Sequence, residues 1–427
     1  MIIASTIAAV VFSFQPVSAA PTATLVRCGH LIAVAGQEPK HNVTVVIRGG
    51  KVEEIKPGFT FSEPGAKEVD CKEMWVLPGL VDCHVHMTMY FDANIRARNI
   101  TESSELVALR GAKWAKVTVE AGFTTVRDLG ANPSTIFALR DAVNQGVVIG
   151  PRILAAGHAI TATGGHGDMT QGYRPGLFPE QTPADGVADG ADECAKAVRN
   201  QIKLGADCIK LTATGGVLSA SSAGLAQHFT ADELSSIVNT AHSMGRKVAA
   251  HAHGVDGINA AVKAGVDSIE HGTFLDDESI RLMKQHGCYH VPTLLAGATV
   301  SANAEKPGFY LAMVAAKARA AGPKMAEMFK KSHAAGVKIA FGTDTGVSEH
   351  GLNAKEFKLM VDGGMTATEA IVAATVTASE LLGLEKEVGT VEVGKAADLI
   401  ATIKDPRQDV TELERVQVVV KGGERVK

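Results

Sequence analysis

The sequence predicts an α/β protein: a (β/α)8 TIM-type barrel with a small β-sandwich formed by both chain ends. Two observations carry this. Between residues 75 and 345 an amphipathic helix, a glycine suited to cap it and a short apolar strand recur, in Gly122-Phe-Thr-Thr-Val, Gly205-Ala-Asp-Cys-Ile, Gly245-Arg-Lys-Val, Gly265-Val-Asp-Ser-Ile, Gly287-Cys-Tyr-His-Val and Gly336-Val-Lys-Ile. Outside that stretch, both ends run alternating or β-branched around Gly-Gly turns.

Taken in order, residues 1–26 carry no charged side chain, and an apolar run from Met1 to Phe14 leads through Pro16 into Val17-Ser18-Ala19-Ala20. That pattern reads as a signal peptide over 1–20, too short to span a bilayer. The expectation is an exported protein, periplasmic or secreted, with no membrane span in the mature chain. Leu25 to Val34, Val43 to Ile55 and Glu68 to Trp75 read as strands, with Gly49-Gly50 as a turn. Gly389 to Ile403 and Val416 to Val426 do the same, turning at Gly422-Gly423. Neither end alone has the strands for a stable sheet, so residues 21–75 are expected to pair with 385–427. The barrel is assigned to 76–384. Trp75 to Val81 and Arg152 to Ala155 add two strands to the six at the glycine junctions, making eight. Eight units over roughly 270 residues suit a closed barrel, and a doubly wound sheet would show a glycine-rich phosphate turn after strand one, where there is none. A helix from Ala367 to Leu382 opens after Thr366, with Glu369 placed for a capping box.

Of 427 residues, 46% are hydrophobic and 21% charged, so the chain buries a real core rather than remaining disordered. Lys plus Arg is 42 against 46 for Asp plus Glu, with no basic block to follow a phosphate backbone, which argues against nucleic acid as a partner. The six cysteines (Cys28, Cys71, Cys83, Cys194, Cys208, Cys288) form no CxxC pair and read as buried thiols, a disulfide in an exported protein being the alternative.

Chemistry collects at the strand ends. Strand one finishes Val81-Asp82-Cys83-His84-Val85-His86, and alternation turns His84 and His86 to one face at the C-terminal rim of the barrel. Such a pair alone is weak evidence for a metal. Lys210, His251, His271 and Asp344 stand at or just past four further strands. Each has an ordinary reading as a salt-bridged lysine, a core histidine or a helix cap. Together they converge on the face where barrel enzymes work, as histidine and carboxylate clusters at metal sites do.

In this order the residues resemble the binuclear pattern of the metal-dependent amidohydrolase superfamily. The segments Gly363-Gly364-Met365-Thr366-Ala367-Thr368-Glu369-Ala370 and Gly389-Thr390-Val391-Glu392-Val393-Gly394-Lys395-Ala396-Ala397-Asp398-Leu399 are similar to its tail. The resemblance implies that Lys210 is carboxylated (N6-carboxylysine) and bridges two divalent ions, most often Zn2+. It implies that His84, His86 and Asp344 hold one ion and His251 and His271 the other, with Asp344 shuttling the proton. A buried lysine has a depressed pKa, and its neutral amine captures carbon dioxide. His253, two residues beyond His251, is a candidate catalytic and substrate-binding donor, or a rim histidine without a role. His166, in the loop Gly164-Gly165-His166-Gly167-Asp168, is a second substrate contact, and Val217 and Leu218 after Gly215-Gly216 a candidate apolar wall.

Those loops resemble most the superfamily's Xaa-Arg, Xaa-Lys and Xaa-Pro carboxypeptidase-type dipeptidases and ochratoxinases. The resemblance implies an amide hydrolase that releases a C-terminal amino acid from N-acyl amino acids or dipeptides, ochratoxin A among them. A cyclic amide or lactone hydrolase of the same superfamily is the alternative, and a noncatalytic metal-binding barrel the remote one. Relatives assemble as homo-oligomers, so the same is expected here. Tyr173 and Arg174 are weak candidates for gripping a substrate carboxylate.

Overall fold

The computed structural model describes residues 22–219 and 224–427, and the expected signal peptide lies outside them. β1 (Thr24–Leu31), β2 (Lys40–Arg48) and β3 (Lys51–Pro57) form an antiparallel meander, the last two joined at Gly49-Gly50 as expected. β4 (Lys67–Pro78) returns parallel to β1. After it come the parallel-sheet strands β5 (Leu80–Val85), β6 (Phe123–Asp128), β7 (Arg152–Ala155), β8 (Ile209–Thr212), β9 (Val248–Ala252), β10 (Ser268–His271) and β11 (Tyr289–Val291). β12 (Leu399–Thr402), β13 (Val418–Lys421) and β14 (Glu424–Arg425) close the chain, with Gly422-Gly423 as the last turn.

Both chain ends share one sheet, in the order β14-β13-β12-β4-β1-β2-β3. The expected sandwich is thus corrected to a single seven-stranded sheet that curls back on itself. At the fold-back, Val52 N donates to Lys395 O and Ala397 N to Gly50 O, both at 2.9 Å. Those bonds occupy the segment before β12, which is why the strand expected from Gly389 shortens to Leu399–Thr402. Val26, Val45, Val391, Leu399 and Val418 are buried together in this domain. β4 pairs with β12 through Trp75–Pro78, so the boundary expected after Trp75 falls inside a strand.

Between the strands lie α1 (Ile95–Thr101), α2 (Ser104–Glu120), α3 (Pro133–Asn144), α4 (Ala191–Leu204), α5 (Ala231–Ser243), α6 (Val255–Ala264), α7 (Asp277–His286), α8 (Leu294–Ala304) and α9 (Ala312–Ala334). The six junction glycines all take positive φ, from 68° at Gly287 to 109° at Gly205, the left-handed turn that stops each helix before its strand. β5, β6 and β7 form one parallel sheet and β8, β9, β10 and β11 another. At one seam Ile160 N donates to Lys210 O at 2.8 Å and Thr212 N to Ile160 O at 2.9 Å. At the other, the segment after Gly336 stands where the eighth strand was expected, as a bridge from Ile339 to His290 rather than a ladder. Cys83 N donates to Phe341 O at 2.9 Å on its other side.

α10 (Lys355–Asp362), α11 (Ala367–Ala373) and α12 (Val376–Leu382) follow. The single helix expected over 367–382 is two, because Phe341 N and Val81 N take the carbonyls of Ala373 and Ala374 at 3.1 and 2.8 Å. The capping box at Thr366 and Glu369 is present. All six cysteines are buried and free. Among the described residues no helix is long and apolar enough to cross a membrane.

Candidate metal centre and active site

The strand ends bring their histidines into one continuous cluster. Ring centroids lie 5.4 Å apart for His84 and His86, 5.1 Å for His84 and His271, 4.7 Å for His251 and His271 and 4.6 Å for His251 and His253. Two groups of three form within it. In His84, His86 and Asp344, and again in His251, His253 and His271, one ligand-type atom from each residue falls within 4.8 Å of the others. Lys210, 4% exposed, influences His84, His251, His271 and Asp344 electrostatically.

Backbone strain marks the place. Among the described residues, four that are not glycine have positive φ, and three of them are here: His271 at 71°, Thr293 at 49° and Asp344 at 56°. Each costs free energy on the order of 1–3 kcal/mol and persists where its surroundings impose it. Thr343 N and Asp344 N both donate to His84 O, at 3.3 and 2.7 Å, which draws the Asp344 carboxylate over the two imidazoles.

Four of the rings are held from behind. His84 Nδ1 is 2.8 Å from Glu270 Oε2, His86 Nδ1 donates to Gly130 O at 2.8 Å, His271 Nδ1 meets Thr293 Oγ1 at 2.7 Å and His253 Nδ1 meets Thr273 Oγ1 at 2.6 Å. Bonding Nδ1 outward leaves Nε2 facing the cluster, the usual way a protein orients metal-binding imidazoles. Two buried atoms, His251 Nε2 and Asp344 Oδ1, have no aligned hydrogen-bond partner. An unpaired ring nitrogen, and a carboxylate oxygen whose near neighbours are the ring nitrogens His86 Nε2 at 3.1 Å and His84 Nε2 at 3.6 Å, at the centre of an imidazole and carboxylate set fit a divalent cation of the zinc type.

The electrostatics suit ligation as well. Burial, with Lys210 second, takes His84 down to about 4. Burial also takes His251 and His271 well below the usual range, so these rings are neutral. Burial brings Lys210 down to about 8. Burial alone would raise Asp344, but His84, His86 and Lys210 outweigh it and hold the carboxyl low. His86 is the exception among the rings, raised by Asp344 against the effect of burial.

Of the loop residues, His166 and His253 reach the cluster. His166 stacks on His251 at 4.1 Å with its planes 25° apart, and Ser219 Oγ holds its Nδ1. Gly216 lies under it: a Cβ there would come within 2.2 Å of His166 Nδ1. Asp168 braces the loop through Gly164 N, Thr170 N and Thr170 Oγ1. Val217 is buried with Val300, Ala304, Ala318 and Ala321 of α8 and α9, and Leu218 packs beside it, so both belong to that helix pair's apolar cluster. Tyr173 OH donates to Arg96 O and Arg174 is exposed.

Sequence reasoning missed Glu270, Thr273, Thr293 and Lys317. Glu270 was within reach: in Ser268-Ile269-Glu270-His271 strand alternation turns a carboxylate into the interior, where it needs a partner. The other three come close only through tertiary folding. Lys317 of α9 donates to Gly216 O at 2.9 Å and Ser219 O at 2.8 Å, pinning the loop that holds His166.

The chain belongs to the amidohydrolase family, whose pattern matches residues 75–426. It is 32% identical to ochratoxinase of Aspergillus niger, over 95% of this chain and 86% of that one. A crystal structure of a Xaa-Pro dipeptidase with bound methionine in the active site superimposes with a TM-score of 0.91 at 42% identity, covering 95% of this chain and 99% of the other. A prolidase complexed with N-methylphosphonate-L-proline gives 0.86 at 31% identity, covering 95% and 100%. The protein is accordingly a hydrolase acting on amide bonds.

Proposed function

We propose that the protein is a two-metal amide hydrolase that releases the C-terminal residue of N-acyl amino acids and dipeptides. The observation that carries the reading is the pair of three-residue ligand groups flanking a buried lysine. His84, His86 and Asp344 would hold one ion, His251 and His271 the other, and Lys210, carboxylated, would join them. The two parallel sheets are read as arcs of one eight-stranded ring, supported by the bonds at both seams. Bound divalent ions supply an acidified water and polarise the scissile carbonyl.

The chain's own residues do the rest. The Asp344 carboxylate, held deprotonated by its imidazole neighbours, takes the proton of the attacking water and passes it to the leaving nitrogen. His253 and His166, both neutral, stand beside His251 as donors for the oxyanion that develops at the carbonyl. Lys317, whose ammonium has two of its three N–H groups on backbone carbonyls, keeps one for the substrate's carboxylate.

The relatives support this substrate class, since one is named for ochratoxin and others for Xaa-Pro dipeptides. The exported location expected from the first residues is kept as part of the proposal, as is a homo-oligomeric state. The test is product analysis: protein loaded with zinc and bicarbonate is offered dipeptides, N-acyl amino acids, ochratoxin A, lactams and lactones. Release of a free C-terminal amino acid that stops with chelator supports the reading. Cleavage confined to rings overturns it in favour of a cyclic-substrate hydrolase.

A further inference from the structure

Behind the ligand clusters runs a buried polar network that the reaction itself does not use. Its hub is the turn that opens α10. Glu356 N donates to Asn353 O at 3.1 Å, and both side chains are closed to solvent. From this turn two arms depart.

One arm is Glu356. Its two carboxylate oxygens accept separately from Leu294 N at 2.8 Å and Leu295 N at 2.6 Å, capping the first turn of α8. These amides immediately follow Thr293, the buried β-branched residue at φ 49°. Fixing the next two amides fixes that strained residue, and Thr293 Oγ1 in turn holds His271 Nδ1. The other arm is Asn353, whose Nδ2 donates to Asp82 Oδ2 at 2.8 Å. Asp82 accepts from His84 N and Thr343 N, each at 3.1 Å, and from Thr343 Oγ1 at 2.6 Å. It thereby ties the backbone of His84 to the residue before Asp344.

We propose that the turn Asn353–Glu356 is a positioning device that sets both ligand clusters against each other: Glu356 acts through Thr293 on His271, and Asn353 acts through Asp82 on His84 and Asp344. Neither residue's side chain hydrogen-bonds a ligand side chain, and the pair spans less than one helical turn. The spacing between the two metal positions is therefore set by one short rigid segment. This inference rests on the two-metal reading.

The experiment is zinc uptake by the metal-free full chain across a series of zinc buffers, with the melting temperature recorded in parallel. Wild-type protein should take up two ions. Thr293→Val keeps the β-branched shape and loses the hydroxyl; Glu356→Gln exchanges one acceptor oxygen for an amide that opposes a backbone N–H. Each should raise the zinc concentration that half-fills one site by about 10–100-fold, the usual effect of losing a group that orients a ligand. Asn353→Leu should weaken the other site similarly. Thr293→Ser, which retains the hydroxyl, should restore tight uptake. Two ions bound at wild-type concentrations by Thr293→Val and Glu356→Gln, even with lowered melting temperatures, would make the turn merely structural and overturn the proposal alone. A wild-type chain that takes up no zinc would overturn the two-metal reading itself.

Discussion

The carboxylate of Glu270 sits 2.8 Å behind Nδ1 of His84, and its other oxygen accepts from Arg127 at 2.9 Å. All three side chains are closed to solvent. Burial by itself would raise the carboxyl, but Arg127 and then His84 more than reverse this and bring Glu270 down to about 2. A permanent anion at Nδ1 keeps the proton there and leaves Nε2 as a lone pair on the Asp344 side, 3.6 Å from Oδ1.

Replacing that anion should therefore disturb ligation rather than substrate binding. Glu270→Gln removes the charge, leaves the buried Arg127 guanidinium short of its counter-ion and no longer fixes the tautomer of His84. The expected result is a loss of about 10–100-fold in zinc affinity with a parallel fall in kcat, measured by titration of the metal-free protein and by steady-state kinetics. Zinc affinity equal to that of wild type would remove Glu270 from the site's machinery.

On the proposed reading Asp344 carries the proton transfer, so Asp344→Asn should keep the fold and lose most turnover. General acid–base help of this kind is worth about 10²–10⁴-fold. The variant is to be compared at saturating zinc, because the amide still offers an oxygen to the cation. Near-normal kcat under those conditions would take the shuttle away from Asp344.

The site was legible in the sequence wherever its residues sit on the chain's own periodicities. His84 and His86 share a strand face, and Lys210, His251, His271 and Asp344 follow glycine-capped helices, so their convergence could be read before any fold was known. What holds them could not be read that way. Glu356 meets the amides of Leu294 and Leu295 across 62 and 61 positions, and Asp82 meets Asn353 across 271. The first pairing is made by the packing of α10 against α8 and the second by the closing of strand one against the segment after Gly336, both purely tertiary events. The curled single sheet escaped for the same reason: alternation shows that a segment is a strand but not which neighbour its edge finds. The break at Ala374 and Thr375 is tertiary too, since β5 and the segment 337–341 claim the carbonyls that one long helix would have used.

Neutral buried imidazoles make the metal-free protein sensitive to acid. Burial takes His84 and His290 to about 4, and His166 and His253 to about 3, whereas in an unfolded chain each titrates near 6.5. Below that value the unfolded state binds protons that the folded state refuses. Stability from these groups is thus whole above pH 6.5 and is lost as the pH falls toward 4. His251 and His271, taken well below the usual range, and His350, taken to about 4, add to these four, while His86, raised by Asp344, and the carboxyls of Asp82, Asp128 and Glu356, raised by burial, act in the opposite sense. Urea unfolding between pH 4 and 7 should show a steadily falling free energy. His290→Gln, outside the ligand set, should reduce the slope by about one proton. A flat wild-type profile would contradict the neutral assignment.

Lys317 separates substrate recognition from loop support. Its ammonium, lowered by partial burial, pins Gly216 and Ser219 beneath His166 and is also felt electrostatically at His253. If it also pairs with the substrate's carboxylate, Lys317→Met should raise KM for an N-acyl amino acid by about 10-fold or more, the worth of one charge-assisted hydrogen bond. The methyl ester of the same compound, which has no anion to lose, should show a much smaller change. Loop support alone predicts something different: acid and ester would suffer together, because His166 would loosen for both. The ratio of the two effects, from initial rates on the matched pair, decides between them, and equal losses would confine Lys317 to holding the loop.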